Sequence, residues 1–345
     1  MRIGSKYLSL LAVLFIATTG LAQSDQVNPI KGTPARGSVT SVSSTEVVLR
    51  VGGSTRRYPV NEIRKVAFGA DPRELSRTRD LALRGRYSEA DAIISKLDAS
   101  SVKSPLIKRD IEFYQAYSAA RVALTGGGNR VAAATKLLKF LTTHGTKSHH
   151  YFAATEAFGD LAVAEKQFSK AAEMYAKLAT APWPDYKLRS GVLEAGALVA
   201  EGKFGDAQKR YSQVAKGAAN SAQALVQRNL AKVGTAVCLA ETGKASEGVK
   251  VIQEVIQKND ATDKVLFGRA YNALGRCYLK DKKPEDALLA YLRVHLLFFS
   301  DPDAHAESLY NLSKLWRQIN KSDRAVRARS LLRTKYAGSP WATKE

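Results

Sequence analysis

Three of the five histidines, His144, His149 and His150, fall within seven residues, the only histidine cluster in the sequence. Imidazoles that close together could share a zinc-type ion. The segment His144-Gly-Thr-Lys-Ser-His-His carries no carboxylate or cysteine, and its Gly, Ser and Lys give it the texture of a loop. Solvated loop histidines are therefore expected there, and no metal site. His295 and His305 flank Asp301 and Asp303, acids placed to cap a helix by accepting backbone N–H groups at its start. No H-E-x-x-H, G-x-S-x-G, G-x-x-x-x-G-K-[ST] or paired C-x-x-C occurs, so metalloprotease, α/β-hydrolase, P-loop and zinc-ribbon chemistries lack their residues. The sequence predicts no catalytic residue, no metal and no cofactor. It describes a protein that binds.

The frame for such binding is periodic. From residue 71 onward apolar residues recur at helical spacing, and Gly or Pro interrupts them every few turns. Ala171, Ala207, Gly248, Ala287 and Ala325 stand 36 to 41 residues apart, and four residues after each comes Tyr175, Tyr211, Ile252, Tyr291 or Arg329. In one unit Tyr271, Leu274, Gly275 and Tyr278 precede Ala287 and Tyr291, with Val294 and Pro302 beyond. Large residues on one helix thereby face small residues on its partner, which lets a helical hairpin close tightly. This run resembles the tetratricopeptide pattern W-x-x-L-G-x-x-Y…A-x-x-x-F…P. Phe158-Gly159, Ala195 with Leu198, Ala236 with Leu239, and Leu309, Leu312, Ser313 and Trp316 hold the matching places in other units. The resemblance spans residues 71–340 in about seven helix pairs. It implies a mainly α fold, a right-handed α-helical solenoid of hairpins.

The N-terminal end reads differently. Arg2 and Lys6 precede an apolar run over residues 7–21 that ends in Gly20-Leu21-Ala22, the layout of a secretory signal peptide cleaved near Ala22. The run is shorter than the ~20 residues a spanning helix needs, so an exported protein is expected, periplasmic or extracellular. Residues 23–36 are polar and rich in Pro and Gly and read as a linker. Residues 37–70 read as a small β module: Val47, Leu49 and Val51 alternate with Val48 and Arg50, and Gly52-Gly53 supplies a hairpin turn. Strands are expected over 37–42, 45–51, 55–60 and 63–68, forming a small sheet or SH3-like barrel too short to hold its own core.

In tetratricopeptide arrays the first helix of each hairpin lines a ligand groove. The resemblance carries this role to Arg269, Asn272, Arg276 and Lys280 in the sixth unit and to Glu307, Tyr310, Lys314 and Arg317 in the seventh. In the fifth unit it falls on Leu230, Val233 and Val237. A groove apolar in its middle and basic toward its C-terminal end is implied, taking a protein or peptide with acidic groups. Reversing Arg276 and Arg317 to Glu is expected to abolish capture without loss of stability. The family's carboxylate clamp is absent, which argues against recognition of an EEVD-type tail. Cys238 and Cys277 hold equivalent places in successive units. Neighbouring helices lie roughly 8–10 Å apart, beyond the ~7 Å Cα limit of a disulfide, so two buried thiols are expected.

Charge offers a second reading. The formal net charge is +21. Lys314, Arg317, Lys321, Arg324, Arg327, Arg329, Arg333 and Lys335 crowd the last unit against the single acid Asp323, around a stripe of Ala325, Ala328, Leu331 and Leu332. Such a surface suits an anionic envelope polymer or lipid headgroups; export argues against nucleic acid.

Overall fold

A computed structural model describes residues 24–344; the expected export signal lies outside the described residues. Five antiparallel strands come first: β1 (Asp25–Pro29), β2 (Ala35–Val42), β3 (Glu46–Val51), β4 (Ser54–Pro59) and β5 (Ile63–Ala67), in the order β4-β3-β2-β1-β5. A single 3-10 turn, Val60–Glu62, joins β4 to β5 across the sheet. The linker reading of residues 23–36 is corrected here. Residues 25–29 pair with both β2 and β5, and the Asp25 carboxylate accepts the N–H of Val39 at 2.7 Å and of Gly69 at 2.9 Å. The strand escaped a periodicity reading because Val27 alone in it is fully buried. Val27, Val47, Leu49 and Val66 form one core with Leu75, Ile94, Ile107 and Ile111 from the first helices, so sheet and helices bury each other's apolar faces.

Fourteen helices follow as seven hairpins: α1 (Arg73–Leu83) with α2 (Tyr87–Ile94), α3 (Pro105–Leu124) with α4 (Arg130–His144), and α5 (Tyr151–Ala164) with α6 (Phe168–Leu178). Next are α7 (Pro184–Ala200) with α8 (Phe204–Lys216), α9 (Ala222–Glu241) with α10 (Ala245–Lys258), and α11 (Lys264–Lys280) with α12 (Pro284–Leu297). The seventh is α13 (Pro302–Gln318) with α14 (Ser322–Lys335), closed by the short α15 (Pro340–Thr343). Ser104, Asn129, Ser221, Asp263 and Asp301 cap the helices they precede with a side-chain oxygen. The capping expected of the acids at 301–303 is thus carried by Asp301. Every hairpin turns on one residue of positive φ: Gly85, Gly126, Lys166, Gly202, Gly243, Lys282 and Asn320 in order. Among the described residues no helix is long and apolar enough to cross a membrane.

Within a hairpin the small–large pairing supplies the contact. A Cβ on Gly275 would lie 2.7 Å from the Tyr291 ring, and one on Gly159 would lie 2.4 Å from that of Tyr175. Ala195, Ala236 and Ser313 occupy the same place in other units, all buried, opposite buried Ala207, Gly248 and Ala325. Cys238 and Cys277 are free and buried. Burial pushes their thiols up to about 11 and about 12, so both are inert near neutrality. In α14, Ala325, Ala328 and Leu332 are buried, but Leu331 is 37% exposed and drops out of the stripe.

Candidate functional site

The first helices α7, α9, α11 and α13 enclose a groove with a cavity of 280 Å³. Seven of the predicted residues line it: Leu230, Val233 and Val237 from α9, Arg269, Asn272 and Arg276 from α11, and Glu307 from α13. They converge because positions three or four apart share one face of a helix, and neighbouring first helices present that face side by side. Val192 and Val199 of α7, Tyr211 of α8 and Trp341 of α15 add to the walls. Lys280, Tyr310, Lys314 and Arg317 do not line the cavity.

The basic character expected of the groove is corrected by its pairings. Arg269 Nε meets Asp301 at 2.6 Å, Arg276 reaches Glu307 at 3.2 Å and Glu241 at 3.9 Å, and Lys280 meets Glu241 at 2.7 Å. Burial holds the Glu307 and Asp303 carboxyls above their ordinary range, offset in part by Arg276 and Arg269 respectively. Replacing Arg276 with Glu would set three carboxylates together, so the reversal expected to be silent on stability would destabilise the stack. Like pairs stitch the earlier first helices: Arg121 of α3 to Asp160 of α5 at 3.5 Å, and Arg189 of α7 to Glu156 of α5 at 2.6 Å. Opposite charges on successive first helices were the available signal for this ladder; the unequal repeat lengths hid their register.

Asn272 ties α11 to α13. It is 3% exposed. Its Nδ2 donates to the Ala304 carbonyl at 2.7 Å and to Glu307 at 3.2 Å, which fixes the amide orientation, and its Oδ1 is buried without a partner. A buried acceptor left open is costly.

Tyr310, expected to face the groove, is covered by α15. The Trp341 ring lies 5.4 Å away, and Lys314 Nζ sits 4.8 Å over the Tyr310 ring. Arg329 holds that segment through the carbonyls of Trp341 and Lys344. Just before α15, a Cβ on Gly338 would lie 1.4 Å from the Thr125 carbonyl oxygen, in the turn after α3. The last hairpin therefore touches the second, and the groove is bridged at that point. Only glycine permits so close an approach.

The histidines are not solvated loop groups, and the structure overturns that expectation. His144 pairs with Glu112 at 2.5 Å, and His150 Nε2 lies 3.1 Å from Asp110 Oδ1 with its ring stacked 3.7 Å over Phe113. The carboxylates come from α3, 32 and 40 residues upstream, beyond any local motif. Near the other end, His295 Nδ1 and His305 Nε2 lie 2.8 Å apart and His305 Nδ1 lies 2.7 Å from the Tyr336 hydroxyl. One proton fits between the two rings, so both cannot be charged. Burial, then His295 and Lys335, push His305 down to about 4. The unfolded chain, with its histidine near the ordinary 6.5, binds that proton more readily, so this contribution is complete above pH 6.5 and fades as pH falls toward 4. Burial raises Asp160 to about 6, which gives the opposite slope. The stability difference between wild type and His305→Gln isolates the histidine: by urea unfolding it is expected to shrink by up to about 1 kcal/mol between about pH 7.5 and about pH 5, allowing for solvent screening. A difference that does not change with pH would remove this role.

Comparison with known structures agrees with the geometry. A tetratricopeptide repeat protein from Parabacteroides merdae superposes with a TM-score of 0.52 at 14% identity, covering 76% of this chain and 91% of that one. A Rap protein complexed with competence and sporulation factor superposes with a TM-score of 0.50 at 14% identity, covering 78% and 76%. The fold is that of the tetratricopeptide-repeat solenoids, preceded here by a five-stranded antiparallel sheet. No protein-family model matches the sequence, and no curated protein does.

Proposed function

We propose that this protein is a non-enzymatic, exported scaffold that holds a peptide or a segment of a protein in the groove between α7, α9, α11 and α13. The observation that carries the reading is the cavity itself. Apolar side chains of α7 and α9 face a polar wall from α11 and α13. An extended segment offers such walls an apolar side chain on one side and backbone polar groups on the other. Since Arg269, Arg276 and Lys280 are already paired, any preference for acidic groups falls to the exposed Lys314 and Arg317 at the rim. The run at residues 7–21 behind Arg2 and Lys6 supports export.

Peptides selected from a random library on the full chain test the groove. Leu230→Glu combined with Val237→Glu is expected to weaken their binding at least about tenfold, whereas Leu289→Glu on exposed α12 leaves it unchanged. Selected peptides that ignore the first pair would remove the groove from the proposal.

A second reading rests on α14 and the residue before it: Lys321, Arg324, Arg327 and Arg333 are exposed and form no ion pair among the described residues. Adhesion to an anionic polymer or lipid surface through these groups would fall steeply with salt and ignore the groove variants.

A further inference from the structure

The strongest unassigned chemistry lies at the junction of the second and third hairpins, away from the groove. Asp110 of α3 is 2% exposed, and Arg79 clamps its Oδ2 through Nε at 3.0 Å and Nη2 at 2.7 Å. That leaves Oδ1 facing His150. His149 and His150 stand in the turn before α5, which Ser148 ties down by accepting the His150 N–H at 3.1 Å. Their rings lie 3.8 Å apart, and one ligand atom from each of Asp110, His149 and His150 falls within 4.8 Å of the others.

We propose that Asp110, His149 and His150 form a binding site for a divalent transition metal of the zinc class. Two imidazoles and a carboxylate are a donor set that zinc, cobalt and nickel accept, with a fourth place left for water. Two features favour an ion here. His149 makes no side-chain hydrogen bond among the described residues, and it is only half-buried, so solvent reaches the cluster. Finally, Asp71 and Asp110 carry one more negative charge than Arg79 balances, and all three are nearly fully buried. Tetrahedral bonds of about 2.0–2.1 Å bring ligand atoms to roughly 3.3 Å from one another. His150 and Asp110 already meet that spacing, and a rotation of the His149 side chain supplies the rest. Arg79 plays the outer role: it fixes the carboxylate and, by drawing on its charge, keeps the site weak enough to exchange its ion.

The His150–Asp110 hydrogen bond accounts for this pairing without an ion, and the experiment separates the two. Tag-free full chain, stripped with EDTA, is titrated with Co²⁺ while the visible d–d bands of tetrahedral cobalt are followed, and Zn²⁺ is then added to displace it. One equivalent is expected to bind, with Zn²⁺ raising the melting temperature. His149→Ala, which touches no ion pair, should melt like wild type without metal and lose at least about tenfold in affinity. His295→Ala, in the distant pair, should bind as wild type does. Absence of bands and of any melting shift in wild type, equal affinity in His149→Ala, or dependence on His295 would each overturn the site.

Discussion

Arg79→Met is expected to destabilise the protein by about 3–5 kcal/mol, since it leaves two buried carboxylates without their cation. Arg79 is 1% exposed, among the most deeply buried large side chains described. One edge of its guanidinium meets Asp71, in the loop after β5, and the other takes both hydrogen bonds to Asp110 of α3. Burial alone would raise Asp110, but Arg79 and His150 outweigh it and hold that carboxyl below its ordinary range. Burial wins at Asp71, whose pKa is raised despite Arg79. The cation thus joins the sheet to the second hairpin: Asp71 also accepts the Phe68 N–H at 2.8 Å, and the guanidinium lies over the Phe68 ring. Urea unfolding followed by circular dichroism reads the loss. Arg79→Lys, which cannot span both carboxylates with a planar fork, should recover little of it. Adding Asp110→Asn to Arg79→Met should recover more, because one stranded charge is gone. A loss below about 1 kcal/mol for Arg79→Met would mean that the triad is not buried as described.

Tyr291→Ala should be nearly as damaging, at about 3–5 kcal/mol for a fully buried aromatic ring. The ring closes its own hairpin over Gly275 and also packs with Ala306, Leu309 and Leu312 of the next one. In a solenoid each hairpin is stabilised mainly by its neighbours, so the break should uncouple α13 and α14 from the rest. Gly275→Ala alone, with its Cβ driven into the ring, is expected to cost about 1–3 kcal/mol. Combined with Tyr291→Ala it should cost almost nothing further, because the obstructing ring is absent. That non-additivity is the signature of direct contact. Additive losses would show that Gly275 and Tyr291 act separately.

These two predictions differ in how far the sequence announced them. Gly275 and Tyr291 were legible because their contact recurs: Gly159 with Tyr175 repeats it, and Ala195 before Tyr211 holds to it approximately. Short-range packing at a fixed offset leaves a visible period. The six groove residues of α9 and α11 were legible for the same reason. Arg79 was not, since nothing local marks it as different from the other arginines of α1. Strand β1 was missed too, because five residues with one fully buried side chain leave no alternation to read. His150 was misread as solvated because its carboxylate lies 40 residues away. Lys280 and Tyr310 were placed in the groove by register, but Glu241 took the one and Trp341 covered the other.

By itself the sequence determined the hairpin, its small–large interlock and its repetition, because these depend on side chains a few turns apart on helices that chain connectivity already brings together. Only the tertiary structure decided which charges cancel, that His150 meets Asp110 with His149 beside them, and that Gly338 reaches Thr125. Those outcomes depend on the rotation from each hairpin to the next. Small angles, set by the packing of every interface, accumulate along seven hairpins, and no single stretch of sequence records their sum.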